Sequence, residues 1–494
     1  MIVSNPLYST SYYGILTGIS KQCPVTTVLQ KLLLAIQQGT LHASTTFRME
    51  SLSSTSEEPQ ISVKLISTLL LNSLNFNQNH FKKTQKFNIE LCHHLTLNTL
   101  SHHLNIKLLS ITEIYKYIPK ISIIIIAYNE NSIIIKNTLQ SILVNTSLLL
   151  SNNNIKEIIL IDDYSNPPID DDQIRTLSKI IRVIRNENRV GLIKSRMNGA
   201  RNATGEILVF LDAHVETLEY WLEPLVVQLI SLRKQHQQEK NGQLNLPSQQ
   251  DEKRTSKLPY NAKHFIVSPL ILSTLDKSDY DNIEDNLYLG GFTWDLIFRW
   301  HHIHENVTPL SIKFNKTDAY HLIYPIKTPA LAGGLFAVWK DDFFNYGGYD
   351  EEMNIWGGEN IELSLRTWMC HGQIEIIPCS RVGHIFHNEH PYTFPMGKEF
   401  TILRNHKRTV LVWFQHDTNL TLAREYLSYY YTVSPMSKII PAGDLKLRRT
   451  IPNSLNCHTF TWYLENIYPL LKQEAKNIEI NDDTYYLTAL IVYN

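Results

Sequence analysis

Four short runs rich in β-branched residues, each closing on polar side chains, constrain this chain most: ISIIIIAYNE from Ile121, EIILIDDYSN from Glu157, IIRVIRNENRVG from Ile180 and GEILVFLDAH from Gly205. Helix-length stretches separate the first two (NSIIIKNTLQSILVNTSLLLS) and the last two (GLIKSRMNGARNAT). Strands that are apolar on both faces, alternating with helices, predict a parallel sheet covered on both sides. Ligands of such sheets bind beyond the carboxyl ends of the strands, where the strand order reverses. The runs end in suitable chemistry: Asn129 and Glu130, Asp162 and Asp163, Asp212 and His214. Side chains alternate along a strand, so Asp212 and His214 project to one side and Ala213 to the other. A mixed oxygen and nitrogen pair suits manganese or a similar first-row ion. By itself, a DxH triplet is more often a strand end with an incidental histidine.

Composition narrows the partners. The chain has 494 residues, 43% hydrophobic and 19% charged, enough for a large core. Lysine and arginine total 46 against 47 for aspartate and glutamate, so no polyanion-binding field exists and nucleic acid is not an expected partner. The five cysteines contain no CxxC pair, which disfavours a thiolate zinc site. N-glycosylation triplets begin at Asn145, Asn202, Asn306, Asn315 and Asn419. The apolar run LISTLLL from Leu65 is far shorter than the roughly 20 residues of a spanning helix, and no signal-peptide pattern is visible.

Organisation changes along the chain. Residues 1–75, with the polar patch SLSSTSEEPQ, read as poorly ordered or accessory. The glutamine- and lysine-rich stretch within 232–263 reads as a polar loop insertion. Beyond it, paired glycines at Gly290/Gly291, Gly333/Gly334, Gly347/Gly348 and Gly357/Gly358 lie among tryptophans and acids and permit turns or close ligand approach.

The ordered set DAH, AGGLF, WGGEN, CSRVGH and HPYTFP resembles the catalytic domain of the polypeptide N-acetylgalactosaminyltransferases, with a likeness running from about Phe87 to Leu470. The resemblance implies an α/β fold of the GT-A glycosyltransferase type: a Rossmann-like nucleotide-binding sheet with a continuous acceptor-binding half. It implies a catalytic domain over 76–445, with a nucleotide and metal half at 120–231, a donor-sugar and acceptor half at 264–445, and a linker over 446–494 without a lectin domain. The implied reaction is manganese-dependent and anomer-retaining, moving N-acetylgalactosamine from UDP-GalNAc to Ser/Thr hydroxyls of a polypeptide acceptor. The implied setting is the Golgi lumen, with a membrane anchor that this sequence does not display.

Carried over by position, Asp212, His214 and His384 are the implied Mn2+ ligands. Asp163 and Arg189, with Asp162 alongside, are implied nucleotide contacts. Trp356, Glu359 and Asn360, with Gly333 and Gly334, would line the donor-sugar pocket, Glu359 positioning the sugar and not attacking it. His390 and Tyr392 fall in a segment that forms a lid in the family. At the lid position of a usual arginine stands His387, which implies weaker and pH-sensitive phosphate binding. The first strand ends in Ala127 and Tyr128 in place of the family pattern, which puts one uridine contact in doubt. Trp294 and Trp300 read as core or pocket wall, and His102 and His103 as surface. An acceptor groove lined by Tyr392 and Phe394 is a further expectation.

By resemblance Cys370 pairs with Cys457. Cys379 lacks its usual partner just before the first strand; pairing with Cys92 and a free thiol are both open. A binding-only relative is the alternative to an active transferase, suggested by His387, Ala127 and the altered cysteines. A metallohydrolase would need a general base and ligands that the sequence does not offer.

Overall fold

The computed structural model describes residues 115–240, 263–274, 287–303, 305, 307–309, 323–386 and 392–480, and single positions 92, 96, 99, 100, 484, 488 and 491. All belong to one compact unit, Ile89–Asn494. The expectations for residues 1–75, for His102, His103, His387 and His390, and for the sequons at Asn306 and Asn315 lie outside the described residues.

The nucleotide half follows the order β1 (Ile121–Ala127), α1 (Ser132–Asn145), α2 (Ser147–Ser151), β2 (Ile155–Asp162), α3 (Asp171–Arg175), β3 (Ile181–Arg185), α4 (Leu192–Asn202), β4 (Ile207–Asp212), β5 (Val215–Thr217) and α5 (Leu222–Lys240). The second half continues with β6 (Phe265–Ser273), β7 (Tyr288–Phe292), β8 (Phe298–His302), β9 (Ile326–Lys327), β10 (Phe336–Trp339), α6 (Lys340–Asn345), α7 (Glu359–Met369) and β11 (Gln373–His384). Helices α8 (Lys398–Trp413), α9 (Leu420–Val433), α10 (Lys446–Ser454), α11 (Phe460–Asn466) and α12 (Pro469–Glu474) close the fold.

The main sheet runs β3-β2-β1-β4-β10-β6-β11-β5, with β9 beside β11. Strands β3, β2, β1 and β4 are mutually parallel, as the alternating sequence predicts. The sheet as a whole is mixed: β10 joins β4 and β6 antiparallel, and β5 joins β11 antiparallel. This departs from the all-parallel expectation because the second half enters the sheet from the opposite direction.

The continuous isoleucines of β1 are explained by cover on both faces. Ile123 and Ile125 belong to the same apolar cluster as Leu139 of α1 and Leu225 of α5. Ile124 meets α4 on the other face, where a Cβ on Gly199 would lie 2.4 Å from its Cγ2. Each fully buried side chain of this kind contributes about 1.5–3 kcal/mol relative to an exposed one. Helix α1 starts where Asn131 accepts a hydrogen bond from Ile133 N (2.8 Å), a side-chain cap for an otherwise unpaired amide.

Two expected boundaries shift. Helix α5 continues to Lys240, inside the stretch read as loop; past the buried Leu232 it is held by Arg233, which pairs with Asp342 (2.7 Å) and lies 3.7 Å over the Trp339 ring. The expected linker from residue 446 is helical through α12 and packed on the domain. Arg448 reaches the buried Glu362 of α7 (2.9 Å), and the Tyr468 hydroxyl lies 2.8 Å from His301 Nε2 and accepts from Arg299 of β8 (3.1 Å). Trp294 is core, its indole N–H donating to Leu471 O (2.9 Å), whereas Trp300 is 41% exposed. The disulfide Cys370–Cys457 ties α7 to this segment, and Cys379 pairs with Cys92, closing the question the sequence left open.

The two halves touch at Gly191, whose φ is +90° and whose backbone bridges Ile355. A Cβ there would sit 2.3 Å from Ile355 Cα. Gly191→Ala should therefore destabilise the protein by at least about 1–3 kcal/mol, the cost of a strained residue in a rigid frame. A chemical denaturation midpoint equal to that of the parent would refute this reading.

Candidate active site

Asp212 closes β4 and His214 follows in the turn to β5. The antiparallel register of β5 with β11 sets His384 opposite Val215, next to His214. One ligand atom from each of Asp212, His214 and His384 lies within 4.8 Å of the others. His384 Nε2 is 3.4 Å from Asp212 Oδ2, and the two imidazole rings meet edge to face at 4.9 Å.

The surroundings orient this trio. Glu130, from the turn after β1, holds His214 Nδ1 at 2.9 Å, which leaves Nε2 as the outward nitrogen. Burial lowers the His214 pKa, but the Glu130 hydrogen bond and the Asp212 charge outweigh it, so the net shift is upward. For Asp212, burial opposes ionisation; the His384 hydrogen bond and the Arg196 and His214 charges more than offset it, holding the carboxyl well below the usual range.

Arg196 of α4 is the principal residue that sequence reasoning missed. It is 2% exposed and donates to Asp212 Oδ1 (3.1 Å) and Glu359 Oε1 (3.3 Å). Gly334 passes directly over it: a Cβ there would lie 1.8 Å from Arg196 Nη2 and 2.8 Å from Asp212 Oδ1. At Gly333 a Cβ would meet nothing within 4 Å, so this backbone borders open space. The only sequence signal for Arg196 was an arginine on a helix that otherwise packs against the sheet.

The WGGEN turn is held from below. Asn405 of α8, fully buried, accepts from Asn354 N (2.9 Å) and donates to Asn354 O (2.8 Å), Trp356 O (3.3 Å) and Gly357 O (3.0 Å). Glu359 Oε2 accepts from Gly357 N (2.9 Å), and Asn360 donates to Leu331 O (3.0 Å). Ile355, β-branched with φ +51°, stores strain just before Trp356 and is fixed by Leu192 N donating to its carbonyl (2.8 Å).

The strand-end aspartates serve their own loops. Asp162 accepts from Ser165 N (2.8 Å) and Ile169 N (3.3 Å) and pairs with Arg185. Asp163 accepts from Asn186 (2.8 Å), Val190 N (2.9 Å) and Gly191 N (2.8 Å). Arg189, on the loop that Asp163 anchors, lies 4.0 Å over the Tyr128 ring and donates to Thr393. Tyr392 stacks near Tyr128, with centroids 6.4 Å apart. Tyr128 thus fills the position where the sequence departs from the family pattern. A separate cleft, lined by Leu270, Tyr288, Gly290, Trp300 and Ala330, opens between the β7–β8 hairpin and the main sheet.

The fold is of the GT-A glycosyltransferase type. Residues 122–238 match the model of Glycosyl transferase family 2, and residues 314–391 match that described as the N-terminal domain of galactosyltransferase. Human Polypeptide N-acetylgalactosaminyltransferase 16 is 38% identical over 73% of this chain and 55% of its own length. Human Polypeptide N-acetylgalactosaminyltransferase 14 is 39% identical over 72% of this chain and 55% of its own. The crystal structure of GalNAc-T7 with UDP, GalNAc and Mn2+ is 29% identical, superposes with a TM-score of 0.54, and covers 71% of this chain and 57% of that one. The chain belongs to the polypeptide N-acetylgalactosaminyltransferase family, and it spans about half the length of the curated relatives it matches, 55% for both human proteins.

The raised His214 pKa has a definite sign. In chelator-treated protein its contribution to stability is fully present below the unfolded histidine pKa and is lost as pH rises through the higher folded value. Glu130→Gln should lower the His214 midpoint in an NMR titration of that protein. A midpoint that stays in place would show that Glu130 does not set the imidazole's charge.

Proposed function

We propose that this chain transfers N-acetylgalactosamine from UDP-GalNAc to Ser/Thr hydroxyls of polypeptides, retaining the anomeric configuration and starting mucin-type O-glycosylation. The observation that carries this reading is the convergence of Asp212, His214 and His384 at the strand ends, joined through Arg196 to Glu359 of the WGGEN turn. The donor set fits Mn2+: two imidazoles and an ionised carboxylate converge with no proton-donating partner among the described residues for the buried His384 Nδ1. When bound there, the ion supplies Lewis-acid stabilisation of the charge that develops on the leaving diphosphate.

The chain's own side chains do the positioning. Arg189, with the Tyr128 and Tyr392 rings, is suited to grip the nucleotide, since guanidinium matches phosphate and carbonyl oxygens. Asp163 shapes the loop that carries Arg189; Asp162, with its contacts spent on its own turn, is assigned to that turn in place of a direct nucleotide contact. Gly333 and Gly334, the wall at Trp356, and the carboxylate of Glu359 surround the space for the sugar, with Asn360 pinned beside them. In the reaction the C1–O bond to the diphosphate breaks, a C1–O bond to the Ser/Thr oxygen forms on the same face, and the hydroxyl proton passes to the departing phosphate. The acceptor groove is proposed to run along Tyr392 and Phe394, as expected from the sequence. The proposed setting is the Golgi lumen; among the described residues no helix is long and apolar enough to cross a membrane.

Radiolabelled transfer from UDP-GalNAc to naked and GalNAc-bearing Ser/Thr peptides tests the reading. Transfer should require Mn2+ and should fall by on the order of 10²–10³-fold in Asp212→Ala, the scale of losing one preorganised electrostatic contact. Transfer indifferent to chelator and to this substitution would sink it. Gly333→Ala provides an independent check, because the added methyl has room in the fold but intrudes on the sugar space. At φ +159° the substitution carries a backbone cost and lowers the melting temperature somewhat, but UDP should still bind while UDP-GalNAc affinity drops; equal affinity for the sugar nucleotide would place the sugar elsewhere.

A further inference from the structure

We propose that Asn419 is an N-glycosylation site, and that it is occupied in preference to the other described sequons, Asn145 and Asn202. The triplets NTS at Asn145, NAT at Asn202 and NLT at Asn419 all meet the sequon rule, and they differ in what the fold does with the acceptor nitrogen Nδ2.

At Asn145 the amide is committed. It is the last residue of α1, and Nδ2 donates to Thr217 O at 2.7 Å in a partly buried setting. Its sequon hydroxyl belongs to Ser147, the first residue of α2, and the intervening Thr146 is 1% exposed and donates to Ile142 O (2.6 Å). A glycan there would have to grow between α1 and β5. At Asn202 the residue is exposed, but Nδ2 donates to both Asn198 O (3.0 Å) and Asn198 Oδ1 (2.9 Å), and the Thr204 hydroxyl is bonded to the buried Glu157 (2.7 Å).

Asn419 is the reverse case. It caps α9 through its oxygen, which accepts from Thr421 N (3.0 Å) and Leu422 N (3.4 Å), and Nδ2 makes no hydrogen bond among the described residues. The stretch 418–421 is exposed throughout, including Leu420 at 47%. N-glycosylation replaces one hydrogen of Nδ2 and leaves Oδ1 an acceptor, so the cap survives the modification. The group needed is a lipid-diphosphate-linked oligosaccharide. Its C1–O bond to the diphosphate breaks, C1 bonds to Nδ2, and Nδ2 gives up one proton. The bulky sugar would then stand in solvent over Leu420.

The inference rests on the lumenal placement proposed above, and the experiment separates the two. The full chain is expressed in glycosylating cells with and without an added cleavable secretory leader, and each sequon peptide is quantified by mass spectrometry after enzymatic deglycosylation in heavy-oxygen water. With the leader, Asn419 should be the most occupied of the three. Thr421→Ala, which keeps the capping asparagine, should abolish that occupancy with an unchanged melting temperature, while Thr421→Ser retains it. An Asn419 peptide that is bare, or less occupied than Asn145 or Asn202, overturns the proposal. Occupancy of Asn419 above the other two with the leader supports this site, whether or not the chain without the leader is glycosylated.

Discussion

One buried guanidinium holds this site together. Arg196 joins Asp212, at the end of a strand in the nucleotide half, to Glu359, at the start of the helix after WGGEN. Burying a cation is costly, and here two carboxylates and the facing Tyr349 offset the cost, so the group stays charged and its pKa is pushed up despite burial. The coupling is mutual. Asp212 remains ionised in a largely desolvated position in part because Arg196 is beside it, and an ionised Asp212 suits the trio with His214 and His384 to a cation.

Backbone geometry then makes room for that arrangement. Gly334 lies so close to the guanidinium that no side chain fits, and Gly191 lets the loop after β3 lie against Ile355. The strained turn around Ile355 and Trp356 does not hold itself; Asn405 satisfies its carbonyls from beneath, and Glu359 caps Gly357. Strain of this kind persists only where the surrounding structure over-determines it. The same logic extends outward: Glu362, whose pKa burial would raise but Arg366 and Arg448 bring down to about 2, anchors the helix after the turn to the closing helices.

The legible part of the fold was the part written in repeated local pattern. The isoleucine runs of β1 and β2 announced strands covered on both faces, and their polar ends marked the rim where Asp212 and His214 lie. The order DAH, WGGEN and CSRVGH carried the family likeness and with it His384. Less visible were single residues whose partners are far away in sequence. Arg196 and Glu359 are separated by 163 positions, and Asn405 looked like any polar residue in a basic helix. Nor did the sequence show that Asp162 and Asp163 also hold their own loops, because a strand-end carboxylate looks the same in sequence whether it faces a ligand or caps a turn.

The sequence by itself determined the alternation of strands and helices, the parallel core of the sheet and the pairing of Asp212 with His214 at a strand end, since periodicity and residue chemistry are local properties; His384 came through the family likeness. Only the tertiary structure decided that β10 and β5 enter antiparallel, that Cys92 reaches Cys379, and that β11 lays His384 beside His214. The physical reason is that register, disulfide choice and charge pairing depend on which distant segments the buried core brings together, and no local pattern encodes a distance.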